Sequence, residues 1–497
     1  VDAVASRQLD AALALFRKGR HAPAREAAVT LTGQRPDLAG VWHLLGLAAR
    51  EGGEGALAHA AFVRALTLTP QEPSLAYNFG ALAERGGALD LAIHLYRRAL
   101  RLAGDWPEAR LALAETLTRR GGAALDANAA AAALPDFEAA LALEPTLADA
   151  WNNAGLALLR AGRPQEGCAA HDTAQQLAPA DVRYRWNAAY TRLAAGDLAG
   201  GWADYRWRWR GIHVPNDYPF PEAAPGESLA GRHVLVFAEQ GLGDEILFST
   251  CLPDLLAEAR AVTLECDPRL VPLYARSFPG VRLIGSRRSG LDWERLAADI
   301  DVKLPLGELA CRYRPRLDAF PPQPALPLRA GADAVRYWQQ RLHAVFDAGV
   351  TVGLVWRSGL RAANRTNLYP PLAGLARTLA ARAQLRVVVL QHDAEPAELE
   401  ALTAAGVPWW RPEDLDLRDD LDGLAALLTA LDLTVGAATA TTELAGALGR
   451  PAWRLYPYPA WVALGSGGCP WHPQMLEFTK AGGVDAPWEP LLAELGA

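Results

Sequence analysis

A period of 34 residues runs through the first part of this chain and constrains its fold more than any other feature of the sequence. The copy that begins at Ala39 carries large, small and turn-forming residues at fixed positions. Those positions hold Trp42, Leu45, Gly46, Ala49, Ala58, Phe62, Ala65 and Pro70, and later copies repeat them with Phe79, Gly80, Ala83, Ala92, Tyr96 and Ala99 and with Trp151, Gly155, Leu158, Ala174 and Pro179. Each copy exposes an apolar face that only its neighbour can cover, so we expect a stack of such units, a solenoid.

The spacing within each copy resembles the tetratricopeptide repeat (TPR), a pair of antiparallel helices. Small residues at positions 8, 20 and 27 let the helices approach, an aromatic residue at position 24 fills the groove, and proline at position 32 ends the second helix. Weaker copies begin near Ala5 and Val182. The copy near Pro107 is predicted to carry about seven extra residues in the Ala-rich stretch Ala129–Ala133. The resemblance implies about six repeats over residues 1–212.

Position 6 of each copy points into the concave surface of such a solenoid, and three copies carry asparagine there: Asn78, Asn153 and Asn187. An asparagine amide both donates and accepts hydrogen bonds, so it can hold the peptide units of an extended chain whatever its sequence. The row resembles the asparagine ladder of O-GlcNAc transferases, which implies a protein bound in the TPR groove. Asparagine is also common at this position in TPRs generally, and other copies, such as the one with Ala112 there, interrupt the row. Both interpretations stay open.

Interleaved arginine and tryptophan residues end the array, in the run from Gly201 to Arg210. Such a run can stack on nucleic-acid bases. Helical spacing instead favours one broad face that caps the solenoid, made of Trp202, Tyr205, Arg206 and Trp209. We favour this structural interpretation. A Pro-rich linker over residues 213–232 marks the end of the array.

The charge and cysteine content of the chain narrow its class. Residues 1–212 carry 23 basic and 22 acidic side chains and the remainder carries 26 and 34, so neither part has the basic excess of a nucleic-acid partner. Five scattered cysteines predict neither a disulfide framework nor a metal site. No apolar run reaches the roughly 18 to 20 residues of a membrane span, and we expect a cytoplasmic protein. The chain opens on Val1 and its only methionine is Met475, so we expect an N-terminal truncation.

The pattern changes at His233, from which short apolar runs alternate with amphipathic stretches. This alternation predicts parallel sheets with helices on their outer faces. The candidate strands are His233–Ala238, Val262–Cys266, Val281–Ile284, Val350–Trp356, Arg386–Leu390, Leu431–Gly436 and Ala452–Leu455. The Pro- and Arg-rich segment Arg312–Leu328 divides them into two groups. We therefore expect two doubly wound, Rossmann-like lobes, with ligands at the carboxyl ends of the strands.

The loop after the first candidate strand contains Gln240, Gly241, Gly243 and Asp244. Its two glycines permit a tight turn from strand to helix and a close approach by a substrate, so Gln240, Gly241 and Gly243 are candidate substrate-binding residues. The third glycine of the dinucleotide-binding fingerprint is missing. Asp244 falls in the first turn of the following helix, where it can serve as a general base or only as a helix cap. We favour the base.

Two loops of the second group of strands suit a phosphate-bearing substrate. The first carries Arg357, Ser358, Arg361, Arg365 and Tyr369. Guanidinium groups bind phosphate through paired hydrogen bonds and neutralise its charge without a metal ion. Gln391, just beyond the next strand, is placed to meet a base or a ribose. The second loop opens a helix with Thr439, Thr441, Thr442 and Glu443, whose hydroxyls and free N–H groups form a seat for an anion.

Five carboxylates lie close together in the run from Asp414 to Asp422. Such a cluster can bind a divalent cation. The run directly precedes an amphipathic stretch, however, so Asp419 or Asp420 suits the cap of a helix, and we predict no metal site.

Several of these segments resemble known glycosyltransferases. The run from Gly241 to Leu255, G-L-G-D-E-I-L-F-S-T-C-L-P-D-L, is similar to the opening motif of the heptosyltransferase-like family 9 glycosyltransferases. The proposed catalytic base of that family matches Asp244. The threonine-rich stretch also resembles a family motif, but Ala438 replaces its aspartate and Glu443 its histidine, so the nucleotide preference of the family does not carry over.

Together with the TPRs, these motifs resemble the bacterial flagellin glycosyltransferases over nearly the whole chain. The resemblance implies a GT-B enzyme without metal or other cofactor, which transfers a nonulosonic acid from a CMP-sugar, a nucleotide-sugar donor, to Ser or Thr of flagellin or another protein in the TPR groove. The expected domains are a TPR domain at 1–212, the linker at 213–232, an acceptor-side lobe at 233–330 and a nucleotide-sugar lobe at 331–497. Two alternatives stay open: a transferase for lipopolysaccharide or another glycan with the TPRs as a docking module, and a TPR scaffold with a degenerate transferase domain.

Overall fold

The computed structural model describes residues 3–210, 218–286, 299–322, 328–359 and 363–496. Contacts between residues divide the chain into two compact units. The first unit comprises Val1–Leu125 and Ala132–Ala154, and the second comprises Asp126–Ala131 and Gly155–Ala497. This division falls inside the repeat array, whereas the domain limits expected at residues 212, 232 and 330 follow changes of motif and stay predictions.

The repeat array folds into six helix pairs within the described residues. Its helices are α1 (Ala3–Arg17), α2 (His21–Gln34), α3 (Ala39–Glu51), α4 (Gly55–Leu68), α5 (Pro73–Arg85), α6 (Leu89–Ala103), α7 (Pro107–Asp126), α8 (Ala130–Leu143), α9 (Ala148–Arg160), α10 (Pro164–Leu177), α11 (Val182–Ala195) and α12 (Leu198–Tyr205). A Cβ atom on Gly80 would lie 2.8 Å from the ring of Tyr96, so only glycine lets the aromatic side chain fill the groove. The prediction of a TPR solenoid is confirmed.

The extra residues of the fourth pair, α7 and α8, lie in a different place from the one predicted. Helix α7 has 20 residues against 13 in α5, a difference of seven. The groove contact is made by Gly121, where a Cβ atom would lie 2.7 Å from the ring of Phe137, so the seven residues precede Gly121 and lengthen α7. The Ala-rich stretch was the wrong location, because Ala130 and Ala133 are buried core residues of α8. Counted from Gly121, position 6 of this pair is Arg119 instead of Ala112.

The first group of predicted strands forms a four-stranded parallel sheet with the order β3-β2-β1-β4. Its strands are β1 (His233–Phe237), β2 (Ala261–Cys266), β3 (Val281–Gly285) and β4 (Val302–Pro305). The described helices of this lobe are α13 (Leu242–Ser249), α14 (Leu252–Glu258), α15 (Val271–Ser277) and α16 (Glu308–Tyr313). All five residues of β1 are buried, as expected for a central strand covered on both faces.

The second group forms a six-stranded parallel sheet with the order β10-β9-β8-β5-β6-β7. Its strands are β5 (Val350–Val355), β6 (Leu385–Val389), β7 (Trp409–Trp410), β8 (Leu433–Ala437), β9 (Ala452–Tyr456) and β10 (Met475–Thr479). Its helices are α17 (Ala332–Val345), α18 (Leu372–Ala380), α19 (Pro396–Ala404), α20 (Leu421–Ala430), α21 (Ala440–Ala447) and α22 (Glu489–Gly496). All seven predicted strands are present, and β4, β7 and β10 were not predicted.

The strand order reverses once in each lobe, and each reversal marks where a ligand binds in an open parallel sheet. In the first lobe the reversal lies between β1 and β4, and in the second it lies between β5 and β8. The loops that leave β1, β5 and β8 at their carboxyl ends carry most of the site residues predicted in the two lobes, and Gln391 follows β6. The predicted fold class, an α solenoid followed by two Rossmann-like lobes of GT-B type, is confirmed.

Candidate functional site

Asp244 lies in the first turn of α13, directly after the loop that leaves β1. Its side chain is partly exposed. Burial, and then the negative charge of Glu443, raise the pKa of this carboxyl to about 6, while backbone hydrogen bonds from Gly241 and Asp244 itself act in the opposite direction. A carboxylate with this pKa is ionised at neutral pH and is still basic enough to accept a proton.

Helix α13 of the first lobe packs against α21 of the second. A Cβ atom on Gly243 would lie 3.7 Å from the Cα atom of Ala440, so the N-terminal turns of the two helices are in contact. Asp244 and Glu443 approach each other at this point. The structure thus brings together the glycine loop and the threonine-rich loop, which lie about 200 residues apart in the sequence.

Glu443 is almost fully buried, with 5% of its surface exposed. One carboxylate oxygen bonds to Nε2 of His472 and the other pairs with the guanidinium of Arg454, which also pairs with Glu477. Burial opposes ionisation, but the charges of Arg454 and His472 hold the pKa of Glu443 below its usual value. Glu443 therefore remains charged and acts on Asp244 across the lobe contact. Its predicted role in binding the nucleotide-sugar stays a prediction.

The end of the solenoid holds the glycine loop in place. The guanidinium of Arg208 donates to both oxygens of Glu239 at 2.6 Å, and the N–H of Gly307 donates to the same carboxylate at 2.8 Å. Arg208 is completely buried. The hydroxyl of Tyr205 accepts a hydrogen bond from Nε2 of Gln240 at 2.7 Å. The ion pair of Arg208 with Glu239 was not predicted from the sequence, although the alternation of Arg and Trp indicated a structural role.

The predicted capping face agrees with the described side chains. Trp202 is buried and its indole donates to the carbonyl of Arg314 at 2.8 Å, while Arg206 pairs with Glu308 at 2.8 Å. The side chain of Trp209 lies outside the described residues. The run therefore caps the solenoid on the first lobe.

Arg357 binds protein carboxylates in this structure. Its Nε donates to Glu398 at 2.8 Å, Nη1 donates to both oxygens of Asp393, and Nη2 donates to Glu398 and to the carbonyl of Asp393. All five N–H donors are thus engaged within the protein. Gln391 is fully buried, accepts from the N–H groups of Trp356 and Arg357 at 3.2 Å and donates to Asp393 at 2.7 Å. Both residues brace the loop, and their roles in phosphate and base binding stay predictions.

The remaining residues predicted to bind the donor surround this loop and the start of α21. Ser358 and Tyr369 are partly exposed, and Arg365 lies in the 3-10 helix Ala363–Leu368. Arg361 lies outside the described residues.

The threonines at the start of α21 have different environments. Thr442 is fully buried, and its hydroxyl accepts from the N–H of Thr439 at 3.1 Å and lies 3.1 Å from the carbonyl of Ala437. Thr439 and Thr441 are partly exposed. Thr442 therefore fixes the helix start, and the roles of Thr439 and Thr441 in binding the nucleotide-sugar stay predictions.

Carboxylates of the run from Asp414 to Asp422 bond to other groups of the protein. Asp420 caps α20 by accepting from the N–H of Gly423 at 2.8 Å, so the predicted helix cap is confirmed. Asp419 pairs with Arg269 at 3.3 Å and Asp422 pairs with Arg276, two ion pairs that join the second lobe to the first. Within the described residues no group of three His, Cys, Asp or Glu side chains could hold a metal ion.

A cavity of about 490 Å³ opens at the carboxyl ends of β8 and β9. It is lined by Leu156, Leu159, Arg160, Asn187, Tyr190, Leu368, Tyr369, Ala438, Leu455, Tyr456, Pro457, Tyr458, Pro459, Ala460 and Trp461. Two of the predicted site residues, Asn187 and Tyr369, thus share one cavity. Burial and the nearby charge of Asp244 raise the pKa of Tyr190, so Asp244 lies close to this wall of the cavity.

The other two asparagines of the predicted ladder belong to the first compact unit. Nδ2 of Asn78 lies 3.0 Å from Nε2 of His43 and donates to the carbonyl of Ser74 at 2.9 Å, and the side-chain oxygen of Asn153 accepts from Asn152 at 3.1 Å. Both side chains are partly exposed. The ladder stays a prediction.

The six helix pairs and the two parallel sheets define the class of fold: a TPR-type α solenoid followed by an α/β region with two Rossmann-like lobes. No protein-family model matches the chain. It is similar to the protein FlbA of Caulobacter vibrioides, with 28% identity over 530 residues that cover 96% of this chain and 86% of FlbA. No helix in the described part of the chain is both long and apolar enough to cross a membrane.

Two solved structures resemble parts of the chain. YrrB, a TPR protein with an unusual peptide-binding site, aligns with a TM-score of 0.30 and 20% identity over 36% of this chain and 88% of its own. A family 9 glycosyl transferase from Veillonella parvula aligns with a TM-score of 0.39 and 14% identity over 55% of this chain and 100% of its own.

Proposed function

We propose that this protein is a glycosyltransferase that transfers a sugar from a nucleotide donor to a serine or threonine hydroxyl of a protein held by the TPR solenoid. Following the resemblance in the sequence, we propose flagellin as the acceptor and a CMP-activated nonulosonic acid as the donor. We further propose that the reaction needs no metal ion or other cofactor, and that it takes place in the cytoplasm.

The observation that carries this proposal is the environment of Asp244. The hydroxyl of serine or threonine ionises far above pH 7, so its attack on an anomeric carbon needs a base within hydrogen-bonding distance. Asp244 combines a raised pKa of about 6 with a position at the strand reversal of the first lobe, in contact with the second lobe. Helix α21 of that second lobe begins at Ala440, two residues after Ala438 in the cavity wall. A base and a substrate cavity therefore lie on adjoining elements.

A scaffold with a degenerate transferase domain is the second candidate, and a specific observation favours it. Three residues that the sequence assigns to the nucleotide-sugar, Arg357, Gln391 and Glu443, make hydrogen bonds or ion pairs with the protein itself. In this candidate the lobes keep their fold because those internal contacts keep it stable, and the TPRs alone carry the function. Binding of a nucleotide-sugar separates the two candidates.

The decisive experiment incubates the purified chain with flagellin and a CMP-activated nonulosonic acid. We expect the intact mass of flagellin to increase by whole sugar units, with release of one CMP for each sugar. Flagellin from a strain that lacks this protein should lack the same mass. Binding of flagellin without any binding of nucleotide-sugars would favour the scaffold. Transfer to a glycan but not to flagellin would favour the alternative in which the TPRs only dock a partner.

A further inference from the structure

The cavity is walled by two parts of the second compact unit that sequence analysis assigned to different domains. Helices α9 and α11 of the solenoid contribute Leu156, Asn187 and Tyr190, among others. The opposite wall comes from the loops after β8 and β9 and includes Ala438 and Trp461. The solenoid therefore forms part of the cavity at the ligand-binding edge of the second lobe.

We propose that Asn187 and Tyr190, on the solenoid helix α11, contact the sugar of the donor and help to determine which sugar the protein accepts. The proposal rests on the proposed function, because it deepens the description of the same site. In this arrangement the last repeats contact the donor sugar, and the TPRs also hold the acceptor.

The position of the cavity indicates that it binds the donor and not the acceptor. Ligands of an open parallel sheet bind at the carboxyl ends of its strands, next to the reversal of strand order. The cavity opens there: Tyr369 follows the loop after β5, and Ala438 follows β8, the two strands between which the order reverses. Asp244 is near enough for its charge to raise the pKa of Tyr190, which places the base beside the α11 wall. The acceptor hydroxyl can then approach from the side of the first lobe.

The lining favours the sugar over the nucleotide. The volume of the cavity, about 490 Å³, lies within the range of roughly 300 to 1,000 Å³ that is usual for small-molecule sites. Aromatic rings of Tyr190, Tyr456 and Trp461 offer flat apolar faces, which suit the C–H face of a pyranose or an acyl group. The amide of Asn187 donates and accepts, as a sugar hydroxyl requires, and Arg160 adds a positive charge for a carboxylate.

Tyr190 is held in place by its neighbours. Its ring lies 4.8 Å from the ring of Trp186 and 5.8 Å from that of Trp461, both in edge-to-face geometry. A side chain with this support keeps its orientation when its hydroxyl is removed, so Tyr190→Phe is a substitution that changes one polar group and little else.

The test compares binding of two probes, CMP and CMP-N-acetylneuraminic acid, to the full chain by calorimetry. We expect Asn187→Ala and Tyr190→Phe each to weaken binding of the CMP-sugar by about 10-fold, the scale of one lost hydrogen bond, and to leave binding of CMP unchanged. The matched control is Tyr184→Phe, the same change on the same helix, at a buried position that does not line the cavity. It should alter neither affinity. Unchanged melting temperatures exclude unfolding as the cause.

Three outcomes would overturn the proposal. Equal weakening of CMP and the CMP-sugar would assign the cavity to the nucleotide. An unchanged affinity for the donor with an increased KM for flagellin would assign it to the acceptor and leave the proposed function intact. If the unaltered chain bound neither the CMP-sugar nor UDP-N-acetylglucosamine, the proposed function would fail, and this inference would fail with it.

Discussion

Replacement of Asp244 by asparagine should change activity and stability in opposite directions. Asparagine keeps the size of the side chain but accepts no proton, so we expect the rate of transfer to fall by about 100-fold or more. The same change removes a carboxylate whose ionisation the fold opposes, because burial and Glu443 raise its pKa. The free energy of unfolding should therefore increase.

The magnitude of the stability gain follows from the pKa. A rise from the usual value of 3.8 to about 6 is roughly two units, which corresponds to about 3 kcal/mol at full effect. The side chain is partly exposed, and solvent screening reduces the expected gain to about 1 to 2 kcal/mol.

The gain should depend on pH in a defined way. In the folded protein Asp244 binds its proton more tightly than in the unfolded chain, so the wild-type protein loses stability as pH rises from about 4 to about 6. The asparagine variant does not share that loss. The difference between the two should be absent below about pH 4 and complete above about pH 7.

Denaturant unfolding of both proteins at pH 4, 5.5 and 7.5, with transfer rates at pH 7.5, tests this reasoning. Asp301→Asn is the matched control, because that carboxylate accepts from the N–H of His233 and its pKa is lowered, so its loss should reduce stability. If Asp244→Asn were less stable at pH 7.5 and turned over at a near-normal rate, Asp244 would be a helix cap and not a base.

Three further predictions concern other groups of the site. Glu443→Gln removes the carboxylate that bonds to His472 and pairs with Arg454, which keeps only Glu477, so the free energy of unfolding should fall by about 3 kcal/mol, the lower end for a broken buried ion pair. The pH below which transfer fails should move down because Asp244 loses a neighbouring negative charge. Denaturation and a pH–rate profile measure both effects, and an unshifted profile would contradict the coupling. Arg208→Ala leaves Glu239 buried without its ion pair and should lower the melting temperature strongly, whereas an unchanged value would show that the buried pair does not stabilise the glycine loop. Removal of divalent ions with EDTA should leave the transfer rate unchanged, because carboxylates of residues 414–422 cap a helix and pair with arginines of the first lobe; activity that disappears and returns with manganese would contradict this.

The sequence was most informative where structure depends on local spacing. The TPR helices follow from contacts 16 residues apart, such as Gly80 with Tyr96, that recur at each period. Two of the three strands that were missed interrupt the apolar pattern: β4 includes Lys303, whose ammonium donates to the carbonyl of Tyr218, and β10 includes Glu477, which pairs with Arg454. Partners from distant segments neutralise or bind these polar groups, and a local pattern does not contain that information. The third missed strand, β7, has only two residues, too few for a pattern.

The same difference between local and distant contacts separates the site residues that could be predicted from those that could not. The glycine loop and Asp244 could be predicted, because a strand-to-helix turn is a local structure. The partners of Arg357 lie 36 and 41 residues further along the chain, at Asp393 and Glu398, so an arginine after a strand looked like a phosphate ligand. The pairing of Glu443 with His472 was hidden for the same reason.

The place at which the compact units divide also determines how such a protein can be altered or can evolve. Helices up to α8 precede every residue that lines the cavity, whereas α9 and α11 line it and Tyr205, at the end of α12, bonds to Gln240 of the glycine loop. Under the proposed function, a chimera that exchanges the upstream helices for those of another TPR protein, joined in the turn before Ala148, should change which polypeptide is bound and keep the transfer activity. A junction near residue 212 agrees with the change of motif in the sequence, but it would also replace the residues of α9 and α11 that line the cavity. The segment that can be exchanged without changing the cavity is therefore shorter than the repeat array.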